Sequence, residues 1–272
     1  MGLQVIETAI VVFDIDGVVR DVSGSYRRAL ADTVEQFTQG AYRPSQEDID
    51  TLKTEGCWNN DWEASQEMIY RYFEAQGRSR QSTQTDPSTT FTYEELVAFF
   101  QSRYRGTDPM HWNGYICQEP LLMDAAYLDG LTQAGIRWGF FSGATRGSAG
   151  YVLEKRLGLQ APVLVAMEDA PGKPDPTGLL QTVEQLQPSS ASRSPVIYVG
   201  DTVADMFTAK HAREQYPDRD WLGIGVIPPH AQTNVEHREA YAAILRQAGA
   251  EMVLDNVQEL TSGTIEQVLG RQ

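Results

Sequence analysis

The chain has 272 residues, of which 41% are hydrophobic and 22% are charged, a composition that excludes a wholly disordered protein and supports a sizeable core. This length suits two domains, or one domain with a large insertion. Its 22 Lys and Arg against 37 Asp and Glu give a formal charge of −15, which disfavours nucleic acids and anionic membranes as partners. An anionic substrate would therefore need a local positive centre.

The ends and the cysteines give a prediction of location. The first residues show no signal peptide, and no apolar run approaches the roughly 18 residues that a membrane span needs. Cys57 and Cys117 are too few for a disulfide scaffold or a four-cysteine zinc site. We therefore expect a reduced, cytoplasmic protein that acts as a monomer or homodimer. Because no histidine partner is identifiable, Cys57 is interpreted as a small buried residue.

Apolar segments of strand length recur along the chain, and most are followed by a helical pattern. Their nearly continuous apolar character indicates strands that are buried on both faces, as in a parallel sheet. The strands are predicted at 9–13, 136–141, 163–167, 196–199, 222–227 and 252–254, and the helices between them near 124–134, 147–157, 177–187, 203–215, 233–248 and 257–269.

The stretch from 22 to 115 breaks this pattern, because it contains amphipathic helical segments and no comparable strand. We predict helices at 25–38, 46–53, 61–76 and 93–104, with a polar loop at 78–90. The fold class is therefore α/β, a Rossmann-like doubly wound parallel sheet with an inserted all-helical domain. Residues 1–21 and 116–272 form the α/β core, and residues 22–115 form the insertion.

The strongest local motif is Asp14-Ile-Asp16-Gly17, directly after the first strand. Ligands of open α/β sheets bind beyond the carboxyl ends of the strands, so both carboxylates can share one site if Gly17 permits a turn. Two like charges this close favour a bound cation or a shared proton. The alternative is an ordinary Asp-rich turn.

Three further motifs follow later strands. Ser142 begins Ser-Gly-Ala-Thr, Lys173 lies in a proline-rich loop, and Gly-Asp201-x-x-x-Asp205 follows the fourth strand. Taken singly, each has a structural alternative: a helix cap for Ser142, a surface lysine for Lys173, and a helix cap for the Asp pair.

Together the four motifs supply what phosphoryl transfer needs. Carboxylates from two loops can hold a hard divalent ion such as Mg²⁺, while another carboxylate attacks phosphorus and a carboxyl group protonates the leaving oxygen. The lysine, the hydroxyl group and the metal would neutralise the transferred phosphoryl oxygens.

This order of motifs resembles the haloacid dehalogenase superfamily of phosphohydrolases, over about residues 9–22 and 120–260. The helical insertion is similar to a C1-type cap, as in the phosphoglycolate phosphatase and β-phosphoglucomutase branch. The resemblance implies that Asp14 is the nucleophile that becomes an aspartyl-phosphate. It implies that Asp16 is the general acid and then the base for water.

The resemblance also implies the ligands. The Asp14 side chain, the Asp16 backbone carbonyl and Asp201 would hold Mg²⁺, and Asp205 would support the metal directly or through water. Ser142, the Gly143 N–H and Lys173 would bind the phosphate group.

Within this superfamily the residues favour a phosphatase of a small sugar, polyol or organic acid phosphate. Asp16 argues against dehalogenases and phosphonate hydrolases. A phosphomutase stays open, although mutases usually have an acidic residue where this chain has Gly200. A catalytically inactive binding protein with this fold is the non-enzymatic alternative.

Substrate recognition is expected to come from the insertion. Lys53, Trp58, Asn59 and Asn60 are the candidates, because amides beside a tryptophan suit a small polar leaving group. The alternative is that Trp58 and Trp62 pack into the core of the insertion itself.

Overall fold

The computed structural model describes residues 9–53, 55, 57, 58, 60–81, 90–187 and 193–270. The chain divides into two compact units, one of Met1–Asp21 with Pro120–Gln272 and the other of Val22–Glu119. Within the first unit, the chain leaves and returns at adjacent points, because the Asp21 N–H donates to the Pro120 carbonyl at 2.9 Å and the Leu122 N–H donates to the Val19 carbonyl at 2.8 Å.

The first unit is built on a six-stranded sheet in the order β3-β2-β1-β4-β5-β6, and all of its pairings are parallel. In this register Phe13 of the central strand lies beside Phe140 on one side and Val199 on the other. The doubly wound fold predicted from the sequence is thereby confirmed. The strands are β1 Ile10–Phe13, β2 Arg137–Phe141, β3 Leu164–Val165, β4 Val196–Gly200, β5 Trp221–Val226 and β6 Ala250–Leu254.

Burial on both faces explains why continuous apolar runs predicted these strands. All residues of β1, β4 and β5 are buried, with no alternation between faces. The edge strand β3 has only two residues, where the sequence predicted five. The predicted segment is apolar throughout, but β3 lies at the edge of the sheet and pairs with one strand, β2, at Phe140 and Phe141. The strand is therefore short because only two of its residues pair.

Helices connect the strands of this unit: α5 Ala125–Gln133, α6 Arg146–Gly150, α7 Thr177–Leu186, α8 Val203–Gln215, α9 Val235–Ala248 and α10 Ser262–Leu269. A π-helical segment, Tyr151–Arg156, continues α6. The prediction of one helix over 257–269 was wrong, because Leu260 leaves helical geometry and Thr261 begins a new helix by accepting a hydrogen bond from the Thr264 N–H.

The second unit is helical over its described residues, with α1 Tyr26–Phe37, α2 Gln46–Lys53, α3 Asp61–Ala75 and α4 Tyr93–Tyr104. Its core combines buried side chains of all four helices, such as Leu30, Ile49, Ile69 and Phe100. The sequence placed the return to the α/β unit at residue 116, whereas this unit extends to Glu119. The reason is that the 3₁₀ turn Tyr115–Gln118 packs on α1 and α4.

Most of the polar loop predicted at 78–90 lies outside the described residues. No helix in the described part of the chain has the length and apolar character that a membrane crossing requires.

Candidate active site

Three neighbouring strands of the first unit end in the polar motifs predicted from the sequence. Ser142 follows β2, Asp14 follows β1 and Asp201 follows β4. Because these strands are adjacent and parallel, their carboxyl ends meet at one edge of the sheet, where the strand order changes direction at β1. The sheet order therefore brings the separate motifs to one place.

Asp14 is held at the end of the central strand. Its backbone N–H donates to the Val199 carbonyl at 2.8 Å, and its side chain is buried. The chain then turns sharply, because Gly17 has a φ of 76°. A Cβ at Gly17 would lie 2.1 Å from an oxygen of Asp201, so only glycine leaves room for this carboxylate.

Lys173 reaches into the same site from the loop after β3. Its ammonium nitrogen lies 2.8 Å from Asp14 Oδ1 and 2.7 Å from Asp205 Oδ1. The lysine side chain is 11% exposed, and its nitrogen also lies over the rings of Phe141 and Tyr198, at 5.4 and 5.5 Å from their centroids. A buried cation thus joins two of the predicted carboxylates.

Asp205 is fully engaged by protein donors. Its Oδ1 accepts from the Tyr198 hydroxyl at 3.0 Å and pairs with Lys173, while its Oδ2 accepts from the Thr202 N–H and the Thr202 hydroxyl at 3.0 and 2.6 Å. The Thr202 hydroxyl in turn accepts from the Asp205 N–H, which completes a capping box at the start of α8. Asp205 therefore holds Lys173 and the helix start in place.

Asp201 has the opposite environment. Its carboxylate makes no hydrogen bond or ion pair with any described residue, although it is only 9% exposed. Carboxylate oxygens of Asp14, Asp201 and Asp205 all lie within 4.8 Å of one another. Since Asp205 is already satisfied, Asp14 and Asp201 are the two carboxylates with capacity for a cation, and hard oxygen ligands suit Mg²⁺.

Burial and mutual repulsion shift the pKa values within this cluster. Burial, together with the charges of Asp205 and Asp16, raises the pKa of Asp14 to about 7, although Lys173 opposes the shift. Burial and the neighbouring Asp205 and Asp14 raise the pKa of Asp201 well above its ordinary range. Burial opposes the charge of Lys173, but Asp14 and Asp205 raise its pKa, so it stays cationic. A divalent cation would reverse the shifts of the carboxyl groups.

Ser142 and Gly143 present hydrogen-bond donors at the end of β2. Ser142 is buried, its N–H donates to the Val165 carbonyl at 3.0 Å, and its hydroxyl oxygen accepts from the Ala144 N–H at 3.1 Å. The hydroxyl proton stays available for donation. The backbone N–H of the exposed Gly143 makes no hydrogen bond within the described chain, so both groups can face an anion.

The contact between Asp16 and Arg20 was not predicted from the sequence. Arg20 Nε donates to Asp16 Oδ1 at 2.7 Å, and the guanidinium is completely buried. Tyr198 and Thr202, which hold Asp205, were not predicted either. The spacing Thr202-x-x-Asp205 is a recognisable capping-box pattern and identifies Thr202, whereas Tyr198 is visible in the sequence only as part of an apolar strand.

In the helical unit, the predicted substrate residues make local contacts. Lys53 pairs with Asp61 at 2.7 Å, and the Trp58 indole N–H donates to Glu55 at 2.8 Å. Asn60 is the N-cap of α3, accepting from the Trp62 N–H at 3.0 Å. Asn59 lies outside the described residues. The prediction that Cys57 is buried was wrong, since it is exposed in the segment between α2 and α3.

The sequence also matches the model of a known protein family. The model of the haloacid dehalogenase-like hydrolase family matches residues 8–213. The chain belongs to this family of hydrolases, and the resemblance predicted from its motifs is confirmed.

Solved structures share the fold. Phosphatase Tt82 from Thermococcus thioreducens is 22% identical, with a TM-score of 0.62, over 86% of this chain and 99% of that one. A phosphonoacetaldehyde hydrolase-like protein from Oleispira antarctica is 18% identical, with a TM-score of 0.62, over 97% and 93% of the two chains. A Thermotoga maritima protein named as a candidate beta-phosphoglucomutase is 16% identical, with a TM-score of 0.60, over 95% and 99%.

A protein related in sequence carries the name of a dehydratase rather than a hydrolase. An imidazoleglycerol-phosphate dehydratase from Phytophthora nicotianae is 28% identical over 247 residues, which is 89% of this chain and 49% of that protein. The chain therefore spans about half the length of this relative.

Proposed function

We propose that the protein is a Mg²⁺-dependent phosphomonoesterase that hydrolyses a small phosphorylated metabolite, such as a sugar, polyol or organic acid phosphate, through an aspartyl-phosphate. The observation that most directly supports this proposal is the buried Lys173 between Asp14 and Asp205. Beside them lies the carboxylate of Asp201, which has no partner among the described residues. This arrangement provides a nucleophile and positive charge at the same point.

In the proposed reaction, an oxygen of Asp14 attacks phosphorus and forms a new P–O bond as the bond to the leaving oxygen breaks. Asp16 donates a proton to that oxygen, so that an alcohol departs. Asp16 then takes a proton from water, which attacks the phosphorylated Asp14 and releases inorganic phosphate. The carboxylate of Asp14 is regenerated with no net change in the protein.

Positive charge and hydrogen bonds would stabilise the transferred group. Lys173, the Ser142 hydroxyl and the Gly143 N–H would contact its oxygens. Asp14, the Asp16 backbone carbonyl and Asp201 would hold Mg²⁺, with Asp205 acting through Lys173 and α8. When bound, Mg²⁺ supplies charge neutralisation for the phosphoryl group.

The helical unit would serve as a C1-type cap that contacts the leaving group. Lys53, Trp58, Asn59 and Asn60 remain the candidates within it. Asn60 accepts a hydrogen bond as the cap of α3, and its side chain also hydrogen-bonds with Tyr93. We further propose that the protein is a cytoplasmic monomer or homodimer that binds neither nucleic acid nor membrane.

A phosphomutase is the second candidate, and Gly200 bears on it. A Cβ at this position would lie 2.3 Å from the Cβ of Asp205, so the backbone here has no room for the acidic residue that mutases usually carry. This favours hydrolysis. An inactive binding protein is disfavoured because Asp14, Asp16 and Lys173 are all in place.

The test is release of inorganic phosphate from p-nitrophenyl phosphate and a panel of phosphate esters. The panel includes imidazoleglycerol phosphate, because of the name of the relative at 28% identity. Activity should require Mg²⁺, disappear with EDTA and be lost in Asp14→Asn. Asp218→Asn is the matched control, since Asp218 is 77% exposed and pairs with Arg193. Full activity of Asp14→Asn would refute the mechanism, and sugar phosphate interconversion without phosphate release would identify a mutase.

A further inference from the structure

Arg20 is the largest completely buried side chain among the described residues of the protein. Removing a guanidinium from water carries a free-energy cost of several kcal/mol, which only a close and well-oriented partner can offset. Arg20 contacts the carboxylate of Asp16, whose side chain is 31% exposed. A buried cation thus holds a carboxylate that still faces solvent.

The contact has an unusual geometry. Arg20 Nε donates to Asp16 Oδ1 at 2.7 Å, and Nη2 lies 2.6 Å from the same oxygen as an ion pair without the geometry of a hydrogen bond. An ordinary bidentate arginine–carboxylate pair is present elsewhere in this unit. There, Arg238 Nε and Nη2 donate to the two separate oxygens of Asp255 at 2.7 and 2.8 Å. Asp16 Oδ2 makes no hydrogen bond within the described chain. The guanidinium therefore fixes one oxygen and leaves the other open.

The backbone fixes Arg20 itself. Its carbonyl accepts from the Gly17 N–H at 2.9 Å, and its N–H donates to the Ile15 carbonyl at 3.2 Å. Residue 20 also forms bridges with Asp16 and with Leu121. Both ends of the ion pair consequently belong to one short, hydrogen-bonded turn, so the direction of the Asp16 carboxylate is set by the turn and the guanidinium together.

We propose that Arg20 is a positioning residue that clamps Asp16 Oδ1 and thereby assigns Oδ2 as the oxygen that exchanges the proton. This inference rests on the proposed phosphatase function. As the bond between phosphorus and the leaving oxygen breaks, the proton on Oδ2 moves to that oxygen. In the second step, a water proton returns to Oδ2 as the water oxygen bonds to phosphorus.

The test uses the dependence of the rate on the leaving group. Aryl phosphates of similar size, p-nitrophenyl, phenyl and 4-methoxyphenyl phosphate, differ in how much the departing oxygen needs a proton. In Arg20→Lys we expect kcat/KM for phenyl and 4-methoxyphenyl phosphate to fall about 10- to 100-fold, which is part of the roughly 100- to 10,000-fold that general acid–base catalysis contributes. For p-nitrophenyl phosphate we expect a fall of less than about threefold, because this leaving group needs little protonation.

The ratio between substrates is independent of the folded fraction, so a partly unfolded variant still gives an answer. Arg238→Gln is the control for loss of an arginine–carboxylate pair elsewhere in this unit, with partners 34% and 40% exposed, and should leave the ratio unchanged. In an Asp16→Asn background, adding Arg20→Lys should change kcat/KM less than about twofold, because the proposed effect of Arg20 on proton transfer passes through the Asp16 carboxylate.

Two results would overturn the role of Arg20 while the proposed function stands. One is an equal loss for all three aryl phosphates, which indicates a structural role. The other is an active wild type whose rates Arg20→Lys leaves unaltered. A wild type that releases no phosphate from any of these substrates with Mg²⁺ would instead overturn both proposals.

Discussion

At the scale of single residues, the site depends on a balance of buried charges around Lys173. The ammonium group contacts Asp14 and Asp205, while Asp201 adds a buried carboxylate that makes no hydrogen bond or ion pair with the described residues. Removing one member of a buried ion pair typically costs about 3–5 kcal/mol, because the partner stays buried without compensation. Lys173 therefore stabilises the folded site as well as the phosphate that we expect to bind there.

Lys173→Met should lower the free energy of unfolding by about 3 kcal/mol near pH 8 and abolish phosphatase activity. Urea denaturation of the metal-free protein measures the first effect, and phosphate release with Mg²⁺ measures the second. Lys210→Met is the control, because Lys210 is exposed on α8 and lies 6.0 Å from the centroid of the Phe207 ring. Unchanged stability would show that the two carboxylates take up protons without cost.

The individual residues also show what sequence can predict. Asp14, Ser142, Lys173 and Asp201 were identifiable because each follows a recognisable strand or lies in a distinctive loop. Arg20 was not, because an arginine after a turn has no pattern that distinguishes burial from exposure. Its role depends on a hydrogen-bonded turn and a side-chain direction, which spacing along the chain does not encode.

At the scale of elements, the start of α8 links secondary structure to the site. Asp205 is the third residue of this helix, and its Oδ2 accepts from the N–H and hydroxyl of Thr202. The same carboxylate holds Lys173 through its other oxygen. The stability of the helix start and the geometry of the site therefore depend on one side chain. A substitution that removes the N-terminal capping box of α8 should consequently reduce the catalytic rate.

Thr202→Ala should destabilise the protein by about 1 kcal/mol, the usual effect of losing an N-cap, and should also reduce kcat/KM by more than about tenfold. The reduction follows because Asp205 loses its restraint and with it the position of Lys173. Thr92→Ala is the matched control, since Thr92 and Glu95 form the same capping box at α4 of the helical unit. Thermal unfolding and phosphate release measure both effects.

We expect Thr92→Ala to lower stability by a similar amount with little effect on kcat for p-nitrophenyl phosphate. Equal losses of activity in the two variants would contradict the coupling between the cap of α8 and the site. Thr202→Ser should restore both stability and activity, because it keeps the hydroxyl group.

Elements were predictable where capping and hydrophobic pattern agree. The predictions for α2, α4 and α8 match the observed bounds Gln46–Lys53, Tyr93–Tyr104 and Val203–Gln215. The helix predicted at 147–157 instead continues from α6 as a π-helical segment. Hydrophobic periodicity cannot resolve such a change in winding, because both windings bury a similar face over one or two turns.

At the scale of the whole molecule, the buried acidic cluster makes the stability of the metal-free protein depend on pH. In the metal-free protein the pKa of Asp14 rises to about 7 and that of Asp201 rises above its ordinary range, chiefly because of burial. The folded state then binds more protons than the unfolded state between roughly pH 4 and pH 7. Stability without metal should therefore fall as the pH rises through this window.

Binding of Mg²⁺ should offset this loss, because the cation binds the deprotonated carboxylates. We expect the increase in thermal midpoint caused by Mg²⁺ to be larger at about pH 8 than at about pH 5.5. Thermal unfolding with Mg²⁺ or with EDTA at the two pH values is the measurement. Asp201→Asn should remove most of the increase, and an equal increase at both pH values would contradict the prediction.

The hydrogen-bonded pair of segments at Asp21 and Pro120 has a consequence for the inserted chain. Because the inserted chain begins and ends at adjoining residues, its length can change while the sheet and its motifs keep their connections. The entropy of closing such an insertion grows only slowly with its length. A helical unit attached in this way can therefore be lengthened or shortened without breaking any connection between the strands of the sheet.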